Sequence, residues 1–304
     1  MPFSGSTFTH LFDWEKDPQR NEKIVNARLE AEFDGIDTGL STVSANTRER
    51  LTAARNYYVN GSTGSDSNSG LASGTAFATI QKAVDVVSGT LDLATYTVTI
   101  NVAAGTYTGA VILKPLVGRG SVVILGDTTT PSNCVISTTS ATAITCAVGG
   151  WDLRGFKTVT TTAGHHISAD GGECLLYVRQ WEFGAAANFW NHVDCANSAR
   201  VWLLANYSVS GAAYAHVAAQ SGGNIQLNNL GTIVVSGSPT MGYCFALASR
   251  SGGIISGGST TFSGAVTGTR YIADMNGTIQ TFGAGASHFP GSVAGTTATG
   301  GQYA

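Results

Sequence analysis

From Ala143 to Gly283 the chain repeats one kind of unit, and no other feature limits its possible folds as strongly. Successive copies read AITCAVGGWDLRGFKTVTT, HHISADGGECLLYVRQWEFG, NHVDCANSARVWLLANYSVSG, AHVAAQSGGNIQLNNLGTIVVSG, CFALASRSGGIISGGSTTFSG and IADMNGTIQTFG. Their small-residue markers fall at Gly149, Gly171, Asn197, Gly222, Gly252 and Asn276, with spacings of 22, 26, 25, 30 and 24 residues. Each unit holds two or three short strand-like stretches, no helical periodicity, and turns of Gly, Asn or Ser. One such unit cannot bury its apolar face alone, so the copies must stack as the coils of a parallel β-solenoid.

Columns of the stack follow from the repeat. Nine residues after the second member of each marker pair stand Val159, Trp181, Tyr207, Thr232 and Phe262, and two further on stand Thr161, Phe183, Val209, Val234 and Gly264. The expectation is that these face inward. Thr160, Glu182, Ser208, Ile233 and Ser263, between them, then face outward, as period-two alternation requires. Trp181 is accordingly read as core. The cysteines near the markers are read as small buried apolar residues.

An open first coil would expose unpaired backbone and apolar side chains, so something must cover it. YYVNGSTGSDSNSGLASGTAFATIQKAVDVV, from Tyr57 to Val87, supplies a strand, a polar loop and then an apolar helix. Phe77, Ile80, Val84 and Val87 lie at helical spacing, with Thr75 as N-cap and Gly89 as stop. This helix is expected to be the lid. Asp66 in the loop is a lone carboxylate, a poor site for a hard cation.

Charge marks a boundary: residues 1–56 hold 16 of the 35 Asp, Glu, Lys and Arg residues. In that segment Leu29, Phe33, Ile36, Leu40 and Val43 follow steps of four, three, four and three, the spacing of a short coiled-coil seam or of a lone amphipathic helix. The expected division is a helical segment over 1–56, a β-solenoid over 57–290 and a tail over 291–304. Net charge is −3 without a Lys or Arg block, so no nucleic-acid footprint is present. No apolar run is long enough to span a membrane, and the N-terminus has no signal-peptide pattern. Five widely spaced cysteines in no CxxC pair argue against a disulfide framework or structural zinc and fit a reducing cytoplasm.

A strand, a GSDSNSG loop and an FATIQKAVD helix leading into glycine-rich coils resemble the start of the pectate-lyase-like right-handed parallel β-helix, common in bacteriophage tailspikes and tail fibres. The opening FTHLFDWEKDPQRNEKIVNARLEAEFDGIDTGL is similar to the attachment segment of phage tail proteins, and SHFPGSVAGTTATGGQY to their termini. The resemblance implies an all-β fold and a homotrimer of β-helices. It also implies a virion protein assembled in the bacterial cytoplasm, joined to a tail or baseplate protein through residues 1–56. Within that segment Phe8, Leu11, Phe12 and Trp14 form an apolar cluster suited to a partner's pocket.

The resemblance includes polysaccharide lyases and hydrolases, but the Asp-Asp and His-Gly pairs and the RxPxxR stretch of those enzymes do not occur here. Asp152, Arg154, Asp170, Glu173, Arg179, Glu182, Asp194 and Arg200 do cluster in sequence. Coils about 4.8 Å apart would allow a pair among Asp170, Glu173, Glu182 and Asp194 to reach glycosidase separations. A solvated face or inter-subunit ion pairs account for the cluster equally simply, and are favoured. His165 and His166, next to Asp170, lack a third metal ligand at useful spacing and are read as surface or interface residues; no cofactor is expected.

Four of the five tryptophans, Trp151, Trp181, Trp190 and Trp202, fall within 52 residues. Flat rings beside Asn, Asp and Arg suit sugar stacking and hydroxyl recognition, so Trp151, Tyr177, Trp190, Trp202, Arg179 and Arg200 are the candidate host-glycan residues. Phe189 and Trp190, in the insertion AAANFWNH, alternatively fill a subunit interface. The leading expectation is a non-enzymatic, receptor-binding tail fibre or spike; a depolymerase and a structural virion decoration are the alternatives.

Overall fold

A computed structural model describes residues 33–38, 48–227 and 231–304. The chain divides into two units, Met1–Thr47 and Arg48–Ala304. In the first, residues 33–38 are helical, and Phe33 and Ile36 are exposed. The rest of the expected seam, and the cluster Phe8, Leu11, Phe12 and Trp14, lie outside the described residues.

The second unit is a parallel β-solenoid of about eight turns. Among the described residues its strands form three main sheets of ten, seven and eight strands, and every strand pairing is parallel. Consecutive strands of one sheet come from consecutive coils, so hydrogen bonds run along the stack rather than within a hairpin. Alternation fills the centre. In Thr97–Val102 the residues Val98, Ile100 and Val102 point inward, and in Cys174–Arg179 so do Cys174, Leu176 and Val178. Register aligns Val98, Val122, Trp151, Leu176, Val201, Ile225, Ile254 and Ile279 in one buried column. Full burial of each such side chain contributes roughly 1.5–3 kcal/mol.

The repeat markers are the corner between the eight- and ten-stranded sheets. Several residues there are left-handed, among them Gly171 at φ 117°, Asn197 at 51° and Asn276 at 61°. Close approach also limits this corner: a Cβ on Gly252 would stand 2.0 Å from the Ala219 carbonyl of the preceding coil. Only glycine allows that approach.

Helix α1, Ile80–Thr90, buries Ile80, Ala83, Val84 and Val87 in the same core cluster as Tyr57 and Val98. It begins later than the apolar spacing predicts. Thr79, not Thr75, is the N-cap, its Oγ1 accepting from Lys82 N at 3.1 Å. Thr75 closes a short 3₁₀ turn, Ser73–Thr75, and Phe77 instead bridges Val59 and stacks 6.0 Å from Tyr57. An apolar residue just ahead of a helix has the same spacing as one in its first turn, so periodicity alone does not separate them. Asp66 does: its Oδ1 accepts from the amides of Ala78 and Thr79 at 2.9 and 3.0 Å, and its Oδ2 from Thr79 Oγ1 at 2.8 Å. Gly89 does not stop the helix, which continues to Thr90.

Strand pairing passes both expected domain limits. Glu49–Arg50 pairs with Leu91–Asp92 and Leu51 is buried, so the solenoid unit starts ahead of residue 57. Arg55 joins this edge to the first coil through its bidentate pair with Glu49, at 2.6 and 2.5 Å. At the other end Thr296–Thr297 and Gln302–Tyr303 add strands, and Tyr303 stacks 3.7 Å from Tyr271. Residues 291–304 therefore complete a coil rather than trail from it.

Two coils depart from the predicted columns. Trp181, Tyr207, Phe183 and Val209 face inward as expected, but Thr160 and Ile233 are buried while Thr161, Thr232 and Val234 are exposed. Register pairs Lys157 with Glu182 and Ser208 with Val234, which displaces these two coils from the marker count by three residues and by one, and an odd displacement exchanges the faces. The five cysteines are buried and unpaired.

His166 overturns its surface assignment. With His192 and His216 it lies at zero exposure in the core, one histidine in each of three consecutive coils. His166 Nε2 must donate to the Ala185 carbonyl at 3.1 Å, leaving Nδ1 to accept from Thr158 Oγ1 at 2.9 Å. Thr158 Oγ1 in turn accepts from Trp181 Nε1 at 3.1 Å.

Candidate functional site

The outer face of the ten-stranded sheet brings together four of the six candidate glycan residues. Gly149–Arg154, Cys174–Arg179 and Arg200–Leu203 are neighbouring strands, and register places Asp152, Tyr177 and Trp202 in one outward column. Arg154 and Arg179 are opposed in the next outward column, and Leu175 and Arg200 in the one before. Residues far apart in sequence therefore become lateral neighbours.

Asp152 organises the cluster. Arg154 grips it in a fork, Nε to Oδ1 at 3.0 Å and Nη2 to Oδ2 at 2.6 Å, and Arg179 Nε reaches both carboxylate oxygens at 3.2 Å. The Asp152 carboxylate raises the Arg154 guanidinium above its ordinary value. Held this way, the Arg179 guanidinium carbon lies 5.9 Å from the Tyr177 ring centre, and Tyr177 meets Trp202 edge-on at 5.4 Å and 83°. Such contacts orient the rings as well as adding about 0.5–1 kcal/mol each. Arg200 is exposed and forms no ion pair among the described residues. Two guanidiniums thus share one carboxylate beside two aromatic rings, and Arg200 adds a third on the next strand. Chemically, that combination offers donors in a fixed fork for an anionic group and an apolar platform for the ring that carries it.

Two candidates are placed elsewhere. Trp151 is fully buried, its Nε1 donating to the Lys114 carbonyl at 3.1 Å, because alternation turns Trp151 inward when Asp152 turns outward. It is a core residue and not a glycan contact. Trp190 is half-buried against His165, at 4.7 Å and 81°, away from the Asp152 cluster.

The four candidate carboxylates disperse. Glu182 is neutralised by Lys157 Nζ at 2.7 Å and accepts from Ser210 Oγ at 2.6 Å on the seven-stranded sheet. Asp170 and Glu173 are exposed at the Gly171 corner, where Asp170 accepts from Asn197 Nδ2 at 2.6 Å. Asp194 belongs to the eight-stranded sheet and accepts from Asn191 Nδ2 and Gln220 Nε2 at 2.9 and 3.1 Å. None hydrogen-bonds another of the four among the described residues.

Sequence reasoning missed a second assembly around that last residue. Tyr214, Tyr243, Gln220, Arg250 and Asp274 line a cleft with Asp194 on the eight-stranded sheet. The signal was present in the repeat, since Tyr214 and Tyr243 precede the corner markers at similar offsets in consecutive units. Neither a family model nor a curated protein matches this chain.

Proposed function

We propose that this protein recognises host-surface polysaccharide without cleaving it, as a bacteriophage tail fibre or tailspike does, through the outer face of its ten-stranded sheet. One observation carries the reading: Asp152 locks Arg179 over Tyr177 beside Trp202, while Arg200, one coil away, has no ion pair among the described residues. The excess of guanidinium selects an acidic glycan. The FATIQKAVD-type lid and the likeness of residues 1–56 to tail attachment segments support the phage assignment. They extend it to a homotrimer fixed to a tail or baseplate protein.

Surface plasmon resonance against immobilised acidic and neutral bacterial polysaccharides tests the binding. Acidic polymers are expected to be retained, and Trp202→Ala combined with Arg200→Ala to weaken retention about tenfold or more, a loss of about 1.4 kcal/mol. Absence of saccharide binding, or a double variant that binds like the parent, overturns the reading in favour of a purely structural role. Light scattering checks the trimer, and a monomeric mass at micromolar concentration would refute it.

A further inference from the structure

The cleft on the eight-stranded sheet has the opposite electrostatic character and a volume of about 430 Å³. Tyr214 and Tyr243 stack in consecutive coils, ring centres 5.0 Å apart and planes 2° from parallel. Phe189, 81% exposed and left-handed at φ 68°, approaches Tyr214 at 6.0 Å. An exposed phenylalanine in a left-handed conformation is costly in isolation, and here it lines the aromatic side of the cleft.

The polar side is a chain of fixed groups. Asn191 and Gln220 donate to Asp194 Oδ1, and Arg250 Nη1 donates to Gln220 Oε1 at 3.2 Å. Gln220 therefore stands between Arg250 and Asp194, and Arg250 forms no ion pair among the described residues. Asp274 lines the same cleft, and its Oδ1 is enclosed with no hydrogen-bond donor among the described residues. His165, also on the wall, adds little positive charge, because burial holds its imidazole below the ordinary value against the pull of Asp194. Two carboxylates face one guanidinium.

We propose that this cleft binds a saccharide carrying a free amine, its ammonium donating to Asp274 and its ring resting on the Tyr214–Tyr243 pair. An ammonium offsets the excess carboxylate, and it is attracted to the faces of tyrosine rings. The site lies on a different sheet from Tyr177 and Trp202 and does not depend on the acidic-glycan reading of that face.

The test compares glucosamine oligomers with fully N-acetylated oligomers of the same length, by calorimetric titration of the full chain at about pH 6. The two probes differ in charge while sharing the pyranose ring. Glucosamine oligomers are expected to bind and the acetylated ones to bind at least about tenfold more weakly. Asp274→Asn and Tyr243→Ala are each expected to reduce glucosamine binding by a similar factor, with Trp202→Ala leaving it unchanged. Equal binding of the two probes, or no binding of either, overturns the proposal whether or not a variant folds. Unchanged affinity in folded Asp274→Asn does so as well.

Discussion

His192 and His216 face each other through their Nδ1 atoms, 3.1 Å apart, in consecutive coils of the core and at zero exposure. His216 continues the chain to the Tyr207 hydroxyl at 3.0 Å, whereas His192 Nε2 has no hydrogen-bond partner among the described residues. When both rings are neutral one Nδ1 donates and the other accepts. Protonating both would set two N–H groups and two charges against each other.

Acid should therefore open this protein from its middle. Burial lowers the values of His166 and His192 well below that of a free imidazole, and burial lowers His216 to about 3. Folded values below the unfolded one mean that stability is complete above about pH 6.5 and is lost as pH falls toward the folded values. Each histidine contributes a slope of up to about 1.4 kcal/mol per pH unit in that window. Denaturant unfolding between pH 7 and pH 4 should show a steep loss, made shallower by His216→Phe relative to that variant's own value at pH 7. A parent chain equally stable at both pH values would refute the argument.

The lid hangs on Asp66. Replacing it by Ala removes three acceptor contacts at the start of α1 and should cost about 1–2 kcal/mol. Asp66→Asn should retain part of that. Thermal unfolding measures the difference, and an unchanged midpoint for Asp66→Ala would show that the loop does not hold the helix.

Where the solenoid begins is testable by truncation. A chain starting at Arg48 keeps the Glu49–Arg50 strand, buried Leu51 and the Arg48 side chain, which donates to the carbonyls of Ser88 and Leu91 at the end of α1. It should fold. A chain starting at Tyr57 loses all of these and should melt lower, by the equivalent of about 2–4 kcal/mol for the leucine and its neighbouring contacts. Equal melting of the two would place Arg48–Asn56 outside the folded unit.

No saccharide cleavage is expected. Glu182 is tied to Lys157 and Ser210, and Asp194 to two amides. Incubation with acidic and amino-bearing polysaccharides should release neither reducing ends nor unsaturated uronate. Release that Glu182→Gln or Asp194→Asn abolishes would establish a depolymerase.

Much of the architecture was legible in the order of residues. Gly252 and the left-handed Asn197 mark the corners because only particular residues tolerate that approach or that φ, and such constraints are local. Alternation in CLLYVR and the apolar spacing of IQKAVDVV are local too, so strands and lid could be read directly. Lateral placement could not. Neighbours in a solenoid lie one coil apart, and coils of 22 to 30 residues absorb their differences in loops that leave no periodic trace. Hence the inward turn of Trp151 and His166, the reversal at Thr160 and Ile233, and the meetings of Tyr177 with Trp202 and Tyr214 with Tyr243 were decided by tertiary register. A shift of one residue costs a loop almost nothing, yet exchanges every side chain between core and surface.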